Sequence, residues 1–185
     1  MIFINTNFTK SAHLLETYRD TSGGKYKIEE LDLLNEAIAK LKLLDLIIKQ
    51  LKHDEKKQRE FDQKNLYILF TSKTLPEKYF VTIYTQRIEI YTYSFYYLAF
   101  RIYDILRDVG LKIQAKEIIS VRNHLMEHPE GKDSRIFSNG FGYIGPYGPV
   151  VKPGRNQNEK QIHLDKGLYY NARVFEKNLL KQLAA

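Results

Sequence analysis

The amino-acid sequence predicts an all-α fold: a helical bundle with one long Gly/Pro-rich loop, holding a short β-hairpin, ahead of the last helix. Three observations carry this expectation. Apolar residues fall at Ile28, Leu31, Leu34, Ile38, Leu41, Leu44, Ile48 and Leu51, and spacings of three and four make one stripe of an amphipathic helix. The stretch from Glu77 to Val109 contains no Gly, Pro or Asn to interrupt a helix. The breakers are instead concentrated: five of the ten glycines (140, 142, 145, 148, 154) and three of the five prolines (146, 149, 153) lie between residues 140 and 154.

Taken in order, Ser22-Gly23-Gly24 reads as a loop leading into a helix over about 26–61. Glu29, Glu30, Asp32 and Glu36 occupy its early turns and Lys49, Lys52, Lys56, Lys57 and Arg59 its late ones, which suits the helix dipole. Leu66-Tyr67-Ile68-Leu69-Phe70 is a short apolar run, readable as a strand or as a buried helical turn. Pro76 fits the first turn of a second helix, expected over about 77–109 and ending before Gly110. This helix carries ten aromatic residues: Tyr79, Phe80, Tyr84, Tyr91, Tyr93, Phe95, Tyr96, Tyr97, Phe100 and Tyr103. A helix apolar on most sides belongs at the centre of a bundle or in a subunit seam. A third helix, about 112–128, has Ile113, Ile118, Val121 and Leu125 as its apolar positions, and Pro129 ends it. The loop at about 130–165 follows, with strand pairing expected around Tyr143 and Ile162. A last helix over about 166–183 has Leu168, Ala172, Phe175, Leu179 and Leu180 on its apolar side. Together these elements make one domain spanning residues 1–185.

Composition narrows the chemistry. The chain has 185 residues and no cysteine, so disulfide frameworks, thiolate zinc sites, Fe–S clusters and cysteine nucleophiles are excluded. Lys and Arg number 29 against 22 Asp and Glu, a formal charge of +7, which permits an acidic partner without requiring one. The aromatic usage is unusual, with 14 Tyr and 10 Phe but no Trp. The N-terminal residues Met1 to Phe8 show neither a basic leader nor a long apolar run, so no secretory signal is expected. No stretch offers 18 uncharged apolar residues. A cytoplasmic location without membrane contact follows by elimination.

Ser22-Gly23-Gly24-Lys25 lacks the earlier glycine and the following Ser or Thr of a phosphate loop. There is no G-x-S-x-G nucleophile elbow. His124 and His128 stand four apart with Glu127 between them, but Leu125 occupies the place where a zinc-protease helix needs a glutamate, and no metal is assigned.

The most informative stretch is Val121-Arg122-Asn123-His124-Leu125-Met126-Glu127-His128-Pro129. Arg122 precedes His128 by six positions and is followed by a polar Asn. This resembles the R-x(4–6)-H signature of the HEPN superfamily, small all-α proteins that dimerise around the motif. The resemblance covers about residues 26–128 and the last helix; the 130–165 loop is not part of it. It implies a metal-independent endoribonuclease, homodimeric, of the kind found as toxins and defence RNases, with a separate antitoxin or partner protein as a companion. It also implies an alternative, since some members keep the fold without cleavage and act as modules binding a protein or nucleic acid.

The residue types fit such chemistry. An imidazole near neutral pKa can take the proton from an RNA 2′-hydroxyl or give one to the leaving 5′-oxygen. A guanidinium can hold the scissile phosphate by two oxygens and offset its developing charge. Arg122, Asn123 and His128 are thus the candidate catalytic set, with His124, Lys132 and Arg135 as candidate substrate contacts and no cofactor. On an ideal helix Arg122 and His128 lie about 120° apart. They meet only if Pro129 lets His128 fold back, or if two subunits pool their pairs across a two-fold axis. The plain alternative gives Arg122 a carboxylate partner such as Glu117 or Glu127 and leaves His128 as a helix cap. The basic residues from Lys49 to Lys64 read as a solvated helix end diluted by Glu55, Glu60 and Asp62. The tyrosines of the second helix read chiefly as core, secondarily as base-stacking groups or a ligand pocket.

Overall fold

A computed structural model describes residues 6–71, 83–127, 134–137, 150–153 and 167–184. Its elements are α1 (Phe8–Ser22), a 3₁₀ turn (Gly23–Lys25), α2 (Ile28–Thr71), α3 (Ile83–Asp108), α4 (Lys116–Glu127), strands β1 (Ser134–Phe137) and β2 (Val150–Pro153), and α5 (Gly167–Leu183). The fold is an all-α bundle, as the sequence predicts. A short antiparallel hairpin pairs Ser134 with Pro153 through to Phe137 with Val150. It precedes the last helix as expected, but at other residues than Tyr143 and Ile162, which lie outside the described residues.

Helix α1 has no counterpart among the elements expected from the sequence. Its start is marked by Asn7, whose Oδ1 accepts from the Lys10 amide at 2.9 Å as an N-cap. Phe8, Ser11, Ala12 and Leu15 form its buried side. Its Thr and Ser content lowers helix propensity, so packing supplies what propensity does not. Glu30 begins α2 as half of a capping box, accepting from the Lys27 amide at 2.8 Å. Helix α2 then runs for 44 residues, about 66 Å, and absorbs the Leu66–Phe70 run as helix. Leu34, Ala37, Ile38, Leu41, Leu44, Ile48 and Leu51 are buried along it. Ile28, expected on this stripe, is 79% exposed because it sits in the first turn beyond the packed face.

Helices α2 and α3 are antiparallel: Arg101 pairs with Glu36 at 3.2 Å, and Arg87 with Asp54 at 3.1 Å. On α1, Glu16 meets Lys42 at 2.7 Å and Thr9 donates to Asp45 at 3.2 Å. Where α1, α3 and α5 meet, the Phe8 ring lies 6.5 Å from Phe95 and 6.3 Å from Phe175. Tyr96 packs edge-on against Phe95 at 5.3 Å, and its hydroxyl accepts from Asn171 Nδ2 at 2.9 Å. All four rings are essentially inaccessible to solvent. Burial holds the Tyr96 phenol well above its usual range, so it stays neutral.

The end of α3 falls where expected. Gly110 has φ +84°, the Leu111 amide donates to the Leu106 carbonyl at 2.7 Å, and the Gly110 amide to Arg107 at 3.0 Å. This is a Schellman cap, which needs a residue free of a Cβ at that φ. The next helix does not begin at Lys112. Leu111, Ile113 and Ala115 are buried while Lys112 and Gln114 are exposed, a period of two that marks extended chain. Asn178 of α5 donates to the Gln114 carbonyl at 2.8 Å, and α4 starts only at Lys116.

Beyond Leu51 the buried side of α2 becomes polar. Asp54, Glu55 and Gln58 are all buried. The Tyr169 hydroxyl of α5 donates to Glu55 Oε2 at 2.7 Å, while Glu55 Oε1 has no partner among the described residues. Burial pushes the Glu55 carboxyl from its ordinary 4.5 up to about 7, against the opposing pull of Tyr169, Arg59 and Lys52.

Two outcomes follow from this packing. Phe8→Ala is expected to lower unfolding stability by about 3–5 kcal/mol in urea denaturation; a loss under about 1 kcal/mol would show that the ring junction does not hold α1. Between about pH 4.5 and 7 the folded chain holds the Glu55 proton more tightly than the unfolded chain. Stability from this group is therefore complete below that window and is lost as pH rises through it. Glu55→Gln, which still accepts from Tyr169, is expected to flatten this part of the pH profile, on the order of 3 kcal/mol between acid and neutral. An unaltered profile would remove Glu55 as its source.

Candidate functional site

Arg122 sits on α4 and turns toward α3. Ile118, Val121 and Leu125 are the inward positions of α4, and their spacing of three and four leaves Arg122 on the flank of the buried face. Its guanidinium carbon lies 4.4 Å from the centre of the Phe100 ring, a cation–π stack that fixes the plane of the group. Nη1 donates to the neighbouring Asn123 Oδ1 at 3.1 Å. Nε is buried and has no partner among the described residues.

Four of the other described arginines make a contrast, while Arg59 and Arg173, like Arg122, form no ion pair among the described residues. Arg19, Arg87, Arg101 and Arg107 each form an ion pair with Asp or Glu. Arg122 forms none among the described residues, Glu117 included. A half-buried guanidinium with unspent donors and no carboxylate partner among the described residues has the chemistry to receive an anion.

The guanidinium opens onto a surface pocket of about 310 Å³ lined by Tyr93, Ser94, Tyr96, Tyr97 and Leu125 besides Arg122. Tyr97 is 57% exposed, whereas its neighbours Phe95 and Tyr96 are buried. The aromatic content of α3 is thus divided: Phe95 belongs to the core, Tyr93 and Tyr97 line the pocket, and Tyr96 is buried between the two. The sequence signal for this division is the number of rings: they cover more than one face, so some must point away from the centre.

The remaining sequence candidates are distributed as follows. Asn123 is beside Arg122 and hydrogen-bonded to it. His124 falls within α4 and Arg135 within β1, as backbone positions. His128, Pro129 and Lys132 lie outside the described residues, as does most of the 140–154 loop. The basic end of α2 is partly self-neutralised, with Lys49 on Asp45 at 2.7 Å and Lys57 on Glu60 at 3.0 Å. Lys52 stands 5.6 Å from the Tyr169 ring centre. This matches a solvated helix end better than a nucleic-acid track. Among the described residues no group of three or more His, Asp or Glu gathers as metal ligands, and no helix is long and apolar enough to cross a membrane. Set against known protein families, curated proteins and solved structures, the chain matches none.

Proposed function

We propose that this protein is a metal-independent endoribonuclease of the HEPN type, cleaving RNA by transesterification with Arg122, Asn123 and His128. The observation that carries the reading is the Arg122 guanidinium, held over Phe100 without a carboxylate among the described residues and facing a tyrosine-lined pocket. Such a cation takes the scissile phosphate as its counter-ion.

In the reaction, an imidazole removes the proton of the ribose 2′-hydroxyl, and the 2′-oxygen attacks the adjoining phosphorus. The bond from phosphorus to the 5′-oxygen breaks, and that oxygen leaves as a hydroxyl with a proton from an acid. The products are a 2′,3′-cyclic phosphate and a 5′-hydroxyl. His128 is the assigned base or acid, from this chain or from the second subunit of a dimer. Asn123, bonded to the Arg122 fork, positions the guanidinium. The protein acts in the cytoplasm, as a toxin or defence RNase with a separate antitoxin or partner chain. A homodimer that pools the Arg122 and His128 pairs of two subunits across a two-fold axis belongs to this reading.

RNA incubated with the protein in EDTA is expected to be cut to fragments ending in cyclic phosphate. Arg122→Ala and His128→Ala should each slow cutting by about 100-fold or more. RNA bound but left intact would instead identify a non-catalytic binding module. For the dimer, sedimentation of the wild-type protein should show two copies of the chain; protein that is monomeric throughout would remove that part.

A further inference from the structure

We propose that the α3 face beside Arg122 is a base-stacking subsite, where Tyr97 carries an unpaired base of a single RNA strand while Arg122 holds the adjoining phosphate. This rests on the reading of the Arg122 pocket as an RNA site, and adds to it the form of RNA that can enter.

The core does not account for Tyr97. Phe95, Tyr96 and Phe175 close the junction with Phe8 and are buried, yet Tyr97, the next residue along α3, is 57% exposed. Tyr93 lies one turn earlier on the same face and lines the same pocket. Among the described residues the pocket therefore offers aromatic rings, Ser94, the Leu125 side chain and one charged group, Arg122, with no carboxylate. A purely apolar ligand would leave the guanidinium unanswered, and an inorganic anion would leave the rings uncovered. A nucleotide supplies both halves, a flat base for the tyrosine and a phosphate for the arginine.

Size sets the next limit. Ligand clefts run from about 300 to 1,000 Å³, so a pocket of about 310 Å³ takes one nucleotide unit and not a helix of paired strands. In a duplex each base face is already covered by its neighbours, and only edges and backbone are presented. Stacking on Tyr97 thus requires an unpaired base, and single-stranded segments or loops become the substrate. Tyr97 is a specificity residue in this scheme: it places the strand, while the chemistry stays with Arg122 and His128.

The test measures binding by fluorescence anisotropy, using the full chain and a short single-stranded RNA with 2′-O-methyl on every ribose. That probe has no free 2′-hydroxyl and cannot be cut by the proposed reaction. Tyr97→Ala should weaken binding about 5- to 100-fold, the range for losing one base–aromatic stack, and Tyr97→Phe should restore it. Because Tyr97 is exposed, the unfolding midpoint of Tyr97→Ala serves as the control for folding. Annealing the probe to its complement should abolish the dependence on Tyr97. Equal affinities for wild type and Tyr97→Ala, equal sensitivity with the duplex, or no RNA binding would each overturn the subsite. The two readings separate cleanly: cutting of unmodified RNA with no Tyr97 effect on binding removes the subsite alone. Tyr97-dependent binding without any cutting sustains the subsite and removes the ribonuclease.

Discussion

The rotational setting of α3 is the constraint on which the remaining structure depends. Its inward set, including Ile88, Thr92, Phe95, Tyr96, Ala99 and Ile102, is locked by the Phe8 ring of α1 against Phe95 and by the Asn171 hydrogen bond to Tyr96. A helix advances about 100° per residue. Once Phe95 and Tyr96 face the core, Tyr97 has to face outward, and Phe100 comes to the flank where α4 arrives. A rotation of α3 by one residue would bury Tyr97, expose Phe95 and take the Phe100 ring from beneath Arg122. The pocket is in this sense a by-product of core packing, which is why it combines an exposed tyrosine with a rigid aromatic floor.

The position of α4 follows from how the chain leaves α3. The Schellman cap at Gly110 turns it sharply, and the extended segment 111–115 carries it along the bundle with alternate residues buried. The bond from Asn178 to Gln114 pins that segment to α5. Ile118, Val121 and Leu125 then fix the rotation of α4, and Arg122 takes the place left on its edge. No long-range ion pair of Arg122 is needed to hold it there: the Phe100 stack and the Asn123 hydrogen bond define the group while leaving donors open. The arginines that do serve the fold, such as Arg87 and Arg101, spend their charge on carboxylates of α2.

What could be read in the sequence follows the strength of local signals. The α2 stripe, the uninterrupted α3, the glycine stop at Gly110 and the last helix all announce themselves by period or by a breaker. Helix α1 does not, because its stripe of Phe8, Ala12 and Leu15 is sparse and its threonines are poor helix formers; only the Asn7 cap pointed to it. The 111–115 segment resembles helix in sequence because Ile113 fits a helical stripe when taken with Ile118, although alternation from Leu111 to Ala115 fits the extended chain better. Arg122 stood out by its spacing to His128 and the Asn beside it. Its stack on Phe100 is a contact between residues 22 apart in the chain, set by tertiary packing, and no local pattern encodes that. The same holds for Tyr97, whose exposure depends on which of several adjacent rings the core accepts.

The polar end of the bundle shows a second use of tertiary context. Along α2 the buried stripe passes from leucine and isoleucine to Asp54, Glu55 and Gln58 without leaving the same face. Continuing the apolar pattern would bind α3 and α5 anywhere along the stripe, since apolar contact has no direction. A buried carboxylate is tolerated only with a partner at a defined place. Arg87 answers Asp54 from α3, and Tyr169 answers Glu55 from α5. Each pair therefore fixes the lengthwise setting of its helix against α2, at the cost of a carboxyl whose charge the interior resists. Because Tyr169 and Asn171 stand on the same helix, the hydrogen bond that sets α5 against α2 also presents Asn171 to Tyr96. The polar end thereby reaches α3, and through it the outward tyrosine beside Arg122.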